Sequence, residues 1–156
     1  MRNRKIARLA VITTITGCLV VLSSALTDAS HLKDHPKKHK IVYHLSDAGV
    51  DKAQFVLRNI RNHIAGVGGW NNIESFELVV FGPALKTFVT KGMDIEVKRS
   101  LETLQTQGIV FGACGNTMKN YSITLEELPD GSRHLPQGGV VRIMELQDAG
   151  YAYIRP

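Results

Sequence analysis

The sequence predicts an α/β protein, a three-layer α/β/α arrangement around a mainly parallel sheet of about five strands. Two observations lead there. β-rich runs alternate with amphipathic helical stretches at intervals of roughly 25–40 residues, the spacing of strand–helix–strand units. Two of those runs, SFELVVF (75–81) and GIVFGA (108–113), are apolar almost throughout. A strand reads that way when both faces of its sheet are covered. Right-handed crossovers then bring every strand-to-helix loop to one edge.

The elements follow in order. Residues 40–46, KIVYHLS, are a short β-rich run closed by Asp47-Ala48-Gly49. Residues 50–67 carry Val50, Ala53, Phe55, Val56, Leu57, Ile60 and Ile64 on a helical stripe, with Asp51 suited to the first turn. Gly66-Val67-Gly68-Gly69 breaks that stripe, and Trp70 beside it is either an exposed anchor or a plug for the loop. The strand at 75–81 stops at Gly82-Pro83, and a short helix is expected over 84–90. Residues 94–107 form a second amphipathic helix on Ile95, Val97, Leu101 and Leu104, with Gly108 in the C′ position. The third strand, 109–113, runs into Cys114-Gly115-Asn116-Thr117, and a short helix over 118–122 is expected after it. Residues 128–131, LPDG, make a turn, and 134–136 are a poor edge strand. Gly138-Gly139 open a helix over 140–148, and the chain finishes with a strand at 151–154.

Ahead of this body, 40–156, stand two segments of another character. Arg2, Arg4, Lys5 and Arg8 precede LAVITTITGCLVVLSSAL (9–26), eighteen residues without a charge, and small residues then offer cleavage sites ending at Ala25 or Ala29. That layout is a secretory signal over 1–29. An uncleaved membrane anchor and a lipoprotein acylated at Cys18 are the alternatives, and membrane contact is expected through 9–26 alone. All three place the body outside the cytosol, in the periplasm for the signal reading. Residues 30–39 read as a polar linker broken by Pro36.

The formal charge of +5 belongs largely to the leader: beyond residue 29 there are fifteen basic and thirteen acidic residues. With 6% aromatics, this near-neutral body gives no footprint for nucleic acid. No Ser/His/Asp order, C-x-x-C pair or H-E-x-x-H occurs, and the Gly-Ala-Cys-Gly-Asn turn lacks the Lys-Ser/Thr of a phosphate loop. Neither a metal site nor a cofactor is therefore expected. His31, His35 and His39 are spaced by four, but Pro36 interrupts the helix that would give the spacing meaning.

In open α/β sheets ligands bind beyond the carboxyl ends of the strands. Those ends carry His44, Ser46 and Asp47, then Phe81 and Gly82, then Cys114, Gly115 and Asn116. Outside the leader, Cys114 is the one cysteine, so it has no intrachain disulfide partner. Between bare glycine backbone and a helix start, amides and the helix dipole favour its thiolate, which can attack sulfur–sulfur bonds. The competing reading is an inert cysteine packed as a small hydrophobe. His44 either assists the thiolate or bonds to backbone, and Asp47 either lines the pocket or caps the following helix.

KIVYHLSD at the first strand, ELVVFGPALK at the second, GIVFGACGNTM at the third and GGVVRIMELQDAGYAYIRP at the end resemble the DsrE/DsrF-like family, in particular its small exported single-domain members. The resemblance spans 40–156 and implies a homotrimer or homohexamer. In sulfur-relay members a cysteine after a central strand carries persulfide between donor and acceptor proteins, and Cys114 matches that position. Two stretches depart from the family pattern: Phe81 stands where exported relatives often have His, and Lys119-Asn120-Tyr121-Ser122 where relay members have Arg-Gly. The expected function is a sulfur-handling persulfide carrier built on Cys114, with His44 and the amides of Gly115 and Asn116 stabilising the charge. The alternative is a non-catalytic oligomeric module that binds a small ligand or a partner in the same edge pocket. Metal capture through His31, His35, His39 and His44 is a third.

Overall fold

The computed structural model describes residues 37–156, so the leader and most of the linker lie outside the described residues. Five parallel strands make one sheet in the order β4-β3-β2-β1-β5. They are β1 (His39–Leu45), β2 (Ile73–Val80), β3 (Val110–Cys114), β4 (Arg133–Leu135) and β5 (Ala152–Ile154). The helices are α1 (Val50–Gly66), α2 (Ile95–Thr106), α3 (Gly115–Tyr121) and α4 (Gly139–Asp148). The first three crossovers step the same way along the sheet, whereas α4 carries the chain back past β1 to β5. Right-handed connections therefore lay α1 and α2 on one face and α4 on the other, giving three layers.

The two faces hold separate cores, as strand alternation requires. Ile41, Tyr43, Leu45, Phe76, Leu78, Val80, Phe111 and Ala113 pack under α1 and α2. Val42, Val79 and Leu135 meet Ile143 and Leu146 of α4 on the opposite face. Both faces of β2 being covered explains its near-continuous apolar run. The exception is Glu77, which is buried and held by Arg142 of α4 through two hydrogen bonds of 2.9 and 2.7 Å. Bidentate pairing of this kind is what a buried carboxylate needs.

Several expectations need correction. Val50 and Phe55 do not belong to the buried stripe of α1: both are exposed, and Ala53, Val56, Leu57, Ile60 and Ile64 form it. The helix expected over 84–90 is a 3-10 segment, Gly82–Phe88, entered through Gly82 at φ 61 and Pro83. Asp47 caps nothing: the residue before α1 is Gly49, with no side-chain cap, and Asp47 pairs with Arg155 at 3.5 Å. A side-chain cap is found instead at Asp94 on α2, which accepts from the amides of Glu96 and Val97 at 3.0 Å. α3 begins at Gly115, three residues before the expected start, and Cys114 immediately precedes it. Trp70 is a plug: its indole N–H donates to Gln107 at 3.3 Å and its ring lies against Phe76.

Candidate functional site

The register of the sheet assembles the site. His44 pairs with Val79, and Val79 with Gly112. Alternation turns all three toward α4, and two residues further along β2 and β3 Phe81 and Cys114 fall on that same side. His44, Phe81 and Cys114 thus form a row across the carboxyl ends of three neighbouring strands. Two strand spacings and one two-residue step separate the Cα atoms of His44 and Cys114 by about 12 Å. Phe81 fills the space between, its ring stacked on His44 with centroids 4.4 Å apart. His44 therefore does not reach the sulfur.

Cys114 is 5% exposed and lies at the wall of a solvent-open cleft of about 270 Å³. Phe81, Gly82, Asn116 and Thr117 line one side of this cleft, and Gln137 through Val141 the other. Burial works to raise the thiol pKa. It is outweighed by the Thr117 hydroxyl and by the backbone amides of Thr117, Gly139 and Asn116, so the pKa falls below the ordinary value. The sulfur makes no formal capping bond at the start of α3. The amides act on it as near dipoles from two helix starts, α3 and α4, which the topology brings together. Thr117 is oriented for its part: its hydroxyl oxygen accepts from the Gly82 amide at 2.9 Å, which leaves its proton for the sulfur.

Glycine is required at two walls of this cleft. A Cβ on Gly139 would stand 2.8 Å from Phe81 Cδ1 and 3.2 Å from its Cβ. One on Gly115 would meet His134 Nε2 at 2.7 Å and the Leu135 carbonyl at 2.8 Å, so the β3-to-α3 turn passes under β4 only without a side chain. Asn116 lies against Gly138, where an added Cβ would be 2.8 Å from its amide nitrogen.

The other expected residues gather around His44. Its Nδ1 bonds to the Tyr153 hydroxyl at 2.7 Å rather than to backbone, joining β1 to β5. Burial lowers the His44 pKa, the Arg155 charge lowers it further, and Asp47 opposes both. Ser46 accepts from Arg155 at 3.3 Å. Sequence reasoning thus located Cys114, Gly115 and Asn116 together but missed Thr117 and Gly139. Thr117 stands three residues after Cys114, the spacing at which a helix's N3 residue faces its cap, a signal hidden while the helix was started at 118. Gly139 had no local signal.

His39 and His44, the two described members of the expected metal set, do not share a metal. His39 and His44 are five residues apart on one strand, on opposite faces and about 17 Å apart. Among the described residues no group of three or more His, Cys, Asp or Glu can hold a metal ion. His31 and His35 lie outside the described residues. Among the described residues, too, no helix is long and apolar enough to cross a membrane.

These features define a class: a five-stranded parallel α/β domain with one thiol at the carboxyl edge, between two helix starts. Among solved structures the chain is similar to the protein of unknown function MTH1491 from Methanobacterium thermoautotrophicum. That match has 26% identity and a TM-score of 0.65, over 76% of this chain and 100% of the other. It is also similar to the ychN protein from E. coli, at 18% identity and TM-score 0.59 over 76% and 99%. A third is the conserved protein of unknown function BT1422 from Bacteroides thetaiotaomicron, at 14% and 0.53 over 75% and 94%. The fold is accordingly DsrE-like. No family model and no curated protein matches the chain.

Proposed function

We propose that the protein handles sulfane sulfur, with Cys114 accepting and passing it on as a persulfide. The observation that supports this reading is the thiol pKa lowered by Thr117 and the amides of two helix starts, in a cleft open to solvent. The thiolate is the attacking species. It attacks the terminal sulfur of a persulfide R–S–SH; the new S–S bond forms at Cys114, the old one breaks, and R–S⁻ leaves and is protonated from solvent. Atoms and electrons balance with no external oxidant. The product Cys114–S–SH loses its proton to solvent, and the charge then rests on its outer sulfur in the cleft.

The leader read from the sequence accords with work outside the cytosol, with a donor or acceptor protein there. Self-association into a trimer or hexamer belongs to the same proposal. The exposed apolar rim of Val140, Met144 and Tyr153 favours the second reading, an oligomeric binding module in which Cys114 is inert. Alkylation of Cys114 in the native protein, followed against pH, separates them. A carrier gives an inflection below the roughly 8.5 of a free thiol. A sulfur that reacts no faster than free cysteine at every pH overturns the carrier. A Cys114→Ser variant with unchanged function in the cell favours the module.

A further inference from the structure

Beside the thiol cleft lies a slot that the sulfur chemistry does not use. It holds about 260 Å³ and is walled by Phe81, Val140, Ile143, Met144 and Tyr153, with His44 and Gln147 completing it. Phe81 and Val140 line both cavities, so the two share a wall. The mouth is apolar and exposed, with Val140 at 67% and Met144 at 55%.

Two further observations say what would fill it. His44 is only 9% exposed, its Nδ1 is taken by Tyr153, and its Nε2 is buried with no hydrogen-bond partner. A buried polar atom in that state is satisfied by a partner from outside the chain, a water or a ligand atom. Neither cavity is lined by Lys, Arg, Asp or Glu, and Arg155, next to His44, is paired with Asp47. A charged organic group would lose its hydration in the slot and find no countercharge there.

We propose that this slot seats the organic group of the molecule that delivers sulfur to Cys114, and that this group is uncharged and apolar, with one hydrogen-bonding atom for His44 Nε2. The donor class is R–S–SH with R an uncharged alkyl or aryl group, in place of a persulfide whose organic group is charged or of thiosulfate. The inference rests on the sulfur-handling reading of Cys114. The span of about 12 Å between the His44 and Cys114 Cα atoms suits a donor lying along the row, its sulfur in the cleft and R in the slot. Nε2 is sealed from solvent in the unliganded protein, so entry includes a turn of the half-exposed Phe81 ring stacked on His44. The step stays balanced: Cys114–S⁻ takes the terminal sulfur and its hydrogen, and R–S⁻ departs through the apolar mouth.

The test uses disulfide probes on the full chain. Rates of exchange at Cys114 are measured with neutral dithiodipyridine and with dianionic dithiobisnitrobenzoate, each divided by its rate with N-acetylcysteine, and iodoacetamide reports the intrinsic reactivity. The slot predicts a normalised preference of about tenfold or more for the neutral probe, the size a hydrophobic pocket supplies. Met144→Gln, an uncharged polar group at the exposed mouth, should remove most of that preference. A Cys114 that reacts with iodoacetamide but shows no preference overturns the slot and leaves the carrier standing. A preference unmoved by Met144→Gln also overturns the slot as its source. A sulfur inert to all three reagents overturns both.

Discussion

Replacing Thr117 by valine keeps the shape of the side chain and removes its hydroxyl, which the site uses in two directions. The oxygen accepts from the Gly82 amide at 2.9 Å, and the hydroxyl lowers the Cys114 pKa. A hydrogen bond to a charged group contributes about 1.5–3 kcal/mol. At the low end, its loss raises the thiol pKa by about one unit, since one unit corresponds to about 1.4 kcal/mol. The thiolate fraction near neutral pH then falls by up to about tenfold. A more basic thiolate is also a better nucleophile, with a Brønsted coefficient of about 0.4–0.5, so the rate at fixed pH falls only about threefold. The assay is the pH dependence of alkylation, read by intact mass, for wild type, Thr117→Val and Thr117→Ser. The inflection should move up for valine and stay near wild type for serine. The Gly82 amide is orphaned in the valine variant, so a loss of about 1–3 kcal/mol in stability is expected beside the kinetic change. A Thr117→Val protein that is less stable but keeps the wild-type inflection refutes the reasoning and leaves Thr117 a structural residue.

Other consequences concern packing and pH. Gly139→Ala should push Phe81 aside and destabilise the fold by about 1–3 kcal/mol, the usual range for overpacking, measurable as a lower urea midpoint. Arg142→Met leaves the buried Glu77 carboxylate facing only Arg133, 3.8 Å away and half exposed. A loss of about 3 kcal/mol is expected, whereas a neutral result would mean that water enters to solvate Glu77. Burial lowers the pKa of His44 and of His63, the latter with His39 as a lesser cause. The unfolded chain then binds protons that the folded chain refuses, so stability is lost as pH falls from about 6.5 toward the depressed folded values. Urea midpoints at a series of pH values should show that decline, and the double variant His44→Gln, His63→Gln should flatten it.

The sequence and the structure agree where the signal is local. SFELVVF and GIVFGA are strands because an apolar run of that length admits little else in a chain whose other segments have helical periods. The stripe on α1 failed at Val50 and Phe55 because periodicity marks a face wider than the neighbours cover; Phe55 instead lies near Lys52 and Arg58 at the surface. Cys114, Gly115 and Asn116 were legible together because they are consecutive at a strand end. Gly139 was not, since its approach to the sulfur depends on α4 returning across the sheet from β4. The His44–Tyr153 bond joins residues 109 apart in sequence and exists because β5 pairs beside β1. The assistance expected of His44 to the thiolate failed on a distance that only the register reveals, with an aromatic ring set between the two.

The account stands on Cys114 carrying sulfur. The direct measurement is the intact mass of the protein after exposure to a sulfane-sulfur donor and removal of the excess, with the modified peptide mapped and Cys114→Ser treated in parallel. One added sulfur atom on the Cys114 peptide, absent from the serine variant and lost to an added acceptor thiol, is the predicted result. An unchanged mass, in a protein whose Cys114 is shown by alkylation to be a free thiol, contradicts it.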